Sequence, residues 1–283
     1  MTYLLLTLIV GEGLLEQILS KQYNLKAKEN NINLFAAVTC LFALLFFLIN
    51  SRGQLEWNAA MLPYSIAFAA AFGTATATAT FAIRTGPLSL TALFTSYSLL
   101  IPTFYGIFFL KDPVSPLLYA GLAALLVSLY MINRKKEESM KFSPVWILYV
   151  ALAFVSNGMC STIQKIQQLK FDGAYKNEFM IAALLFVTVV LFVIGFLQKG
   201  DKKEMMKPCI KYGIIQGLGN GMKNYWVMLA TALLPTAVLF PTISAGGIVL
   251  TYLCAVFIYR EKLSRVQTAG YFLGVVSVVL LNL

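Results

Sequence analysis

Apolar runs about as long as a bilayer is thick constrain this chain more than any other feature. A helix needs about 20 mostly apolar residues to cross the hydrocarbon core. Ten segments approach that length, with short polar or turn-forming connections between them: 1–20, 33–50, 59–82, 86–110, 115–132, 143–164, 178–197, 208–233, 235–259 and 264–283. Lipid requires the backbone to satisfy its own hydrogen bonds, and strand-length alternation is absent. The pattern therefore predicts an all-α integral membrane protein with ten transmembrane helices.

The composition agrees with a membrane location. Apolar residues make up 59% of the chain and charged residues 12%, whereas soluble domains have about 25% charged residues. The net charge of +10 comes from basic residues between the apolar runs, which is typical of membrane loops and does not indicate nucleic-acid binding. Histidine is absent and the four cysteines are far apart in sequence. We therefore expect no cofactor, no metal site and no enzymatic activity.

The two ends of the chain contain similar corner motifs. Lys111-Asp112-Pro113 follows an apolar run and precedes Gly121, and Arg260-Glu261-Lys262 stands in the same relation to Gly270. This agreement indicates a repeat with halves 1–139 and 140–283. Five spans per half is an odd number, so the second half enters the membrane in the opposite sense. Inverted repeats around a site near the midplane are a recurrent transporter architecture.

The segment 81–86, the two corner motifs and the glycines after them resemble the EamA-type repeats of the drug/metabolite transporter superfamily. The resemblance covers both halves and nearly the whole chain. It implies ten helices, a central cavity and transport by alternating access. Its motifs are diffuse and do not specify a substrate.

Basic residues are distributed unequally between the two predicted faces. Sixteen of the 22 lie in the connections 1–2, 3–4, 5–6, 7–8 and 9–10 or within four residues of them. The chain is predicted to cross the plasma (cytoplasmic) membrane several times. The positive-inside rule places these connections in the cytoplasm and both termini on the outer side of the membrane. The resembled family is usually drawn with both termini inside, so the two criteria disagree.

Charged residues inside the predicted spans are the first candidates for a site, because they are costly in lipid. Glu12 and Glu16 lie four residues apart in the first span and so share one helix face. Lys223 lies in the eighth span, within the polar segment 219–226. The structural alternative is an ion pair between Lys223 and Glu12 or Glu16 that holds the helices together. Glu16 has a second alternative, because it could lie solvated near the membrane surface.

Polar and aromatic residues near these positions complete the predicted site. The predicted substrate-binding residues are Glu12, Glu16, Tyr97, Asn157, Asn220, Lys223, Asn224, Tyr225, Trp226 and Ser244. Three other aromatic residues, Trp57, Trp146 and Tyr119, are predicted to anchor the chain at the membrane interface.

The leading functional hypothesis is a secondary transporter that moves a small polar metabolite, zwitterionic or anionic, by alternating access. The carboxylates make protons a candidate coupling ion, and Lys223 favours a substrate with an anionic group. The alternative within transport is a multidrug exporter of lipophilic cations. A membrane receptor or scaffold is the alternative outside transport. The expected partners are the small-molecule substrate, protons and the lipid bilayer.

Overall fold

The structure, a computed structural model, describes residues 2–27, 31–85, 91, 94–95, 97–133, 143–199, 201–258 and 264–281. The α-helices of these stretches are α1 Thr2–Lys26, α2 Ile32–Asn50, α3 Leu62–Thr85, α4 Leu100–Phe108, α5 Pro116–Asn133, α6 Pro144–Lys170, α7 Lys176–Leu197, α8 Lys202–Leu233, α9 Thr236–Leu253 and α10 Arg265–Leu281. A short 3-10 helix, Ala59–Met61, precedes α3, and a π-helical turn, Cys254–Ile258, follows α9. Every regular element of the described residues is helical, which confirms the all-α prediction.

Five spans in the described residues are long and apolar enough to cross a membrane: Thr2–Ser20, Ile32–Asn50, Ala59–Ala79, Pro144–Lys170 and Lys176–Leu197. Three apolar helices are shorter: Pro116–Ile132, Thr236–Leu250 and Arg265–Leu281. Helix α8 is long enough but carries Asn220, Lys223 and Asn224 in its second half. The start of the fourth predicted span lies outside the described residues. Helices that are long and apolar enough to cross a membrane are thus confirmed, and the full set of ten spans stays a prediction.

The chain forms two compact units, and neither is a contiguous half of the sequence. Unit 1 comprises Met1–Val10, Thr74–Thr162 and Leu233–Leu283, and unit 2 comprises Gly11–Gly73 and Ile163–Ala232. Each unit therefore takes segments from both predicted halves. The predicted boundary at residue 139 and the Arg260-Glu261-Lys262 corner lie outside the described residues. The two halves stay a prediction.

In unit 1, α5 and α10 form a closely packed antiparallel pair. Ser128 Oγ donates to the Gly270 carbonyl oxygen at 2.6 Å, and Ser277 Oγ donates to the Gly121 carbonyl oxygen at 2.9 Å. Each serine follows the glycine of its own helix by seven residues, so the two bonds are related as by a local two-fold axis. Glycine allows the approach, since a Cβ on Gly121 would lie 2.9 Å from Leu281 Cγ. A repeat of these two helices would produce this reciprocal contact.

The connection between α4 and α5 forms a hydrogen bond with the start of α9. Lys111 adopts a left-handed conformation with φ 55°. The Asp112 Oδ2 atom accepts a hydrogen bond of 2.9 Å from the backbone N–H of Ala237. A carboxylate at a helix N-terminus satisfies a free N–H and complements the helix dipole. The acidic residue of this corner motif therefore has a structural role in unit 1.

Trp146, predicted as an interfacial anchor, is buried in unit 1. Its side chain is 4% exposed, and its indole N–H donates to Thr91 Oγ1 at 3.1 Å. A partner inside the protein replaces the polar headgroup layer for this indole, so the prediction for Trp146 was wrong. Trp57 and Tyr119 are more than half exposed, as anchors require.

In unit 2, α8 packs closely on α2. Three glycines one turn apart on α8 face α2: Gly213, Gly217 and Gly221. A Cβ on Gly217 would collide with the backbone carbonyl oxygen of Thr39. Helix α2 is in turn held to α7, because Asn31 Nδ2 donates to the Gly195 carbonyl oxygen at 2.9 Å. Small residues allow close helix approach in membranes, and here they position α8 together with its polar residues.

Candidate functional site

An ion pair between α1 and α8 forms the centre of the candidate site in unit 2. Lys223 Nζ donates to Glu16 Oε2, and Asn220 Nδ2 donates to Glu16 Oε1 at 2.7 Å. The side chain of Lys223 is 25% exposed and that of Glu16 is 17% exposed. The three residues lie on helices that the sequence separates by about 200 positions. Asn220 and Lys223 are three residues apart on α8, so one helix face presents both donors.

Two further amides extend this network along unit 2. Asn224 Nδ2 donates to the backbone oxygen of Asn220 at 2.9 Å and to its Oδ1 at 3.1 Å. Gln164 Nε2 of α6 donates to Asn224 Oδ1 at 2.8 Å. The hydrogen bonds therefore form a chain that runs from Gln164 to Asn224, from Asn224 to Asn220 and from Asn220 to Glu16. Buried polar chains of this kind are rigid when their members are satisfied.

Glu12 lies one turn before Glu16 on α1 and has different surroundings. Its carboxylate packs against the backbone of α8 at Gly219, where a Cβ would collide with Glu12 Oε2. Glu12 Oε2 is buried and has no hydrogen-bond partner among the residues that the structure describes. Beside Glu12, a Cβ on Gly11 or Gly13 would meet no described atom within 4 Å. The two carboxylates thus differ: both oxygens of Glu16 accept hydrogen bonds from α8, whereas Glu12 Oε2 is buried without a partner among the described residues.

Gly219→Ala should move the Glu12 carboxylate without lowering the stability of α8. The new methyl group would displace the Glu12 carboxylate, which is the mobile end of a flexible side chain. Alanine is a better helix former than glycine by about 1 kcal/mol. We expect an unchanged or higher melting temperature together with loss of ligand-dependent transport, measured on purified protein and in proteoliposomes.

Two other glycines provide the controls for Gly219→Ala. Gly217→Ala should lower the melting temperature, because the obstacle there is the backbone of Thr39, which cannot move aside. Gly73→Ala in α3 meets no described atom within 4 Å and reports the gain in helix propensity alone. A Gly219→Ala protein with normal transport would contradict a role for this Glu12 position.

Tyr225 and Trp226 follow the polar residues of α8. The Tyr225 ring makes edge contacts with Phe46 and Phe47 of α2, with centroids 6.3 Å and 6.4 Å apart. These contacts are typical of packing between aromatic side chains. Trp226 is half-buried. Their predicted role in substrate binding stays a prediction.

Three predicted site residues lie in unit 1. Tyr97 and Ser244 line a small cavity that has room for about one water molecule. The Tyr97 hydroxyl donates to the Leu126 carbonyl oxygen at 2.9 Å. Asn157 Nδ2 donates to Ser98 Oγ at 2.5 Å. These residues form local contacts in unit 1, whereas the other seven predicted residues lie in unit 2.

Gln164 and Lys165 were not among the predicted site residues, because the predicted sixth span ends at residue 164. They lie within α6, which continues to Lys170, and both are buried. Lys165 Nζ donates to the Thr231 carbonyl oxygen at 2.5 Å, in the last turns of α8, where a cation complements the helix dipole. The polar run after Thr162 was the available signal.

A chain this apolar, with a half-buried ion pair in membrane-length helices, is typical of a helical membrane transporter. Comparison with known proteins supports that class. The sequence is 29% identical over 108 residues to "Multidrug resistance protein EbrA" of Bacillus licheniformis. The match takes in 37% of this chain and 99% of that protein. It also fits a protein that is not an enzyme.

The fold has a counterpart among solved structures, and no protein family model matches the sequence. A structure described as "Crystal structure of protein" superposes with a TM-score of 0.78 at 14% identity. The superposition covers 99% of this chain and 95% of the other. At that identity the likeness shows the fold alone.

Proposed function

We propose that this chain is a secondary transporter that moves a small zwitterionic or anionic metabolite across the membrane by alternating access. The observation that carries the proposal is the Glu16–Lys223 pair one helical turn from Glu12, whose Oε2 atom is buried without a partner among the described residues. Charged groups in membrane helices are costly and mark substrate or ion pathways. A purely structural pair does not account for this second carboxylate.

The charges of the site favour a substrate that carries both signs. Glu12, Glu16 and Lys223 together bring two carboxylates and one ammonium. Glu16 compensates Lys223, which leaves the charge of Glu12 for an ammonium group of a solute or for a proton. A zwitterion can satisfy Glu12 through its ammonium and Lys223 through its anionic group. Protons are the proposed coupling ion, because the same carboxylate can bind either.

The second candidate is an exporter of lipophilic cations. Two observations favour it: the net negative charge of the three groups, and the similarity to a protein named for multidrug resistance. A cation without an anionic group would use Glu12 and make no use of Lys223. The two candidates therefore differ in their dependence on Lys223.

Several finer features belong to this proposal. We place the chain in the drug/metabolite transporter superfamily, with inverted halves 1–139 and 140–283, in the plasma membrane. The resemblance of the corner motifs and the reciprocal bonds between α5 and α10 support this placement. A role in substrate binding is also proposed for Tyr225 and Trp226 within unit 2 and, separately, for Asn157, Tyr97 and Ser244 within unit 1.

The test begins with a thermal-shift screen of the purified protein, because a ligand that binds the native state raises its melting temperature. The panel contains neutral amino acids, dicarboxylates and the lipophilic cation tetraphenylphosphonium. Hits are then assayed for flux in proteoliposomes, with and without a proton gradient. We expect flux of a zwitterion or anion that Lys223→Met abolishes. Flux of tetraphenylphosphonium that survives Lys223→Met favours the exporter, and binding without flux of any hit favours a receptor.

A further inference from the structure

Two donors of α8 hold the Glu16 carboxylate, one at each oxygen. Asn220 Nδ2 contacts Oε1 at 2.7 Å, and Lys223 Nζ contacts Oε2. One charged donor and one neutral donor, directed at separate oxygens of one carboxylate, give both affinity and orientation. The pair Asn220 and Lys223 is called the clamp below. Glu16 is its occupant in this structure.

The Asn220 side of the clamp is oriented by contacts that do not involve Glu16. Asn224 Nδ2 donates to the Oδ1 atom of Asn220 at 3.1 Å, and Gln164 Nε2 donates to Asn224 Oδ1 at 2.8 Å. Because the Oδ1 atom of Asn220 accepts a hydrogen bond from Asn224, its Nδ2 atom is free to point at the carboxylate position. The Asn220 donor is therefore held in place independently of Glu16.

The clamp is accessible in part, because Lys223 keeps a quarter of its side chain exposed and Glu16 keeps 17% of its side chain exposed. Glu12 lies one turn from Glu16 on the same helix face. Its buried Oε2 has no partner among the described residues and suits a hydrogen-bond donor of a ligand.

We propose that the clamp of Asn220 and Lys223 is a carboxylate-binding subsite that Glu16 occupies until a substrate carboxylate displaces it. Once displaced, Glu16 lies with Glu12 on one face of α1, and both carboxylates can attract the ammonium group of the same substrate. The ligand class is therefore an α-amino acid or a zwitterion of similar size. The inference rests on the proposed function for the entry of a solute, and it deepens that function by assigning a chemical group to each residue.

The test removes the Glu16 carboxylate from the clamp and adds acetate as a replacement. Glu16→Ala removes the internal carboxylate, and sodium acetate is compared with sodium chloride at equal ionic strength. We expect acetate to raise the melting temperature of Glu16→Ala by about 3 °C and to leave the double variant Glu16→Ala/Lys223→Met unchanged. Glu204→Ala, which breaks the exposed Glu204–Lys207 pair of 2.6 Å, is the matched control and should not respond. An equal response of the single and double variants overturns the inference.

A second variant, Glu16→Gln, provides a test if Glu16→Ala does not fold. Glu16→Gln keeps the side-chain volume and removes the competing charge. We expect 4-methylpentanoate, a carboxylate without an amine, to bind Glu16→Gln about tenfold more tightly than the wild type, which corresponds to one charged hydrogen bond. Equal or weaker binding overturns the inference. Rescue by acetate without substrate flux in liposomes would instead overturn the proposed function and leave the subsite in place.

Discussion

Lys223→Met is expected to lower the stability of the protein and to stop transport of its substrate. The substitution leaves Glu16 and Glu12 together without a cation in a poorly hydrated part of unit 2. Breaking a fully buried pair costs about 3–5 kcal/mol. Because this pair is partly exposed, we expect about 2 kcal/mol, which corresponds to a melting temperature about 6 °C lower. Differential scanning fluorimetry in detergent measures the change.

The double variant Glu16→Gln/Lys223→Met separates stability from function. Removing both charges relieves the unpaired carboxylate, so most of the lost stability should return and the double-mutant cycle should report coupling of about 2 kcal/mol. Transport should stay absent, since the ammonium is still missing. The matched control is the exposed pair Glu204–Lys207, where the equivalent variants should change neither property. Transport by the double variant would show that the Glu16–Lys223 pair has a structural role alone.

Glu12→Gln is expected to have the opposite profile, with normal stability and little transport. Glu12 Oε2 makes no hydrogen bond to any described residue, so loss of its charge breaks no hydrogen bond at that atom and removes a desolvation cost. The glutamine can neither bind a proton nor accept a charge-assisted hydrogen bond from a substrate ammonium as the carboxylate does, which we expect to reduce flux about 100-fold. Flux and melting temperature are measured on the same preparation.

Comparison of the two carboxylates provides the control for this prediction. Glu16→Gln leaves Lys223 without its carboxylate and should lower the melting temperature, whereas Glu12→Gln should not. Glu12→Asp keeps the charge and should retain part of the flux. If Glu12→Gln transported normally at every pH, Glu12 would be a packing residue against Gly219 and the proposed site would lose its centre.

Prediction from sequence succeeded where the physical cause is local. Helical membrane segments follow from runs of apolar residues, because bilayer thickness and backbone hydrogen bonding act on each segment separately. The spacing of Glu12 and Glu16 likewise predicts a shared helix face without knowledge of the fold. Trp146 shows the limit, since an indole at a helix start suits either the interface or a buried partner such as Thr91.

The sequence by itself determined the class of structure and the residues that are costly in a membrane. Only the tertiary structure decided that Lys223 pairs with Glu16 while the carboxylate of Glu12 packs on Gly219. It also decided that Gln164 joins the network and that Asn157, Tyr97 and Ser244 belong to unit 1. These pairings join distant parts of the chain, and they depend on the depth and rotation at which helices pack. Hydropathy and spacing along one segment carry no information about either.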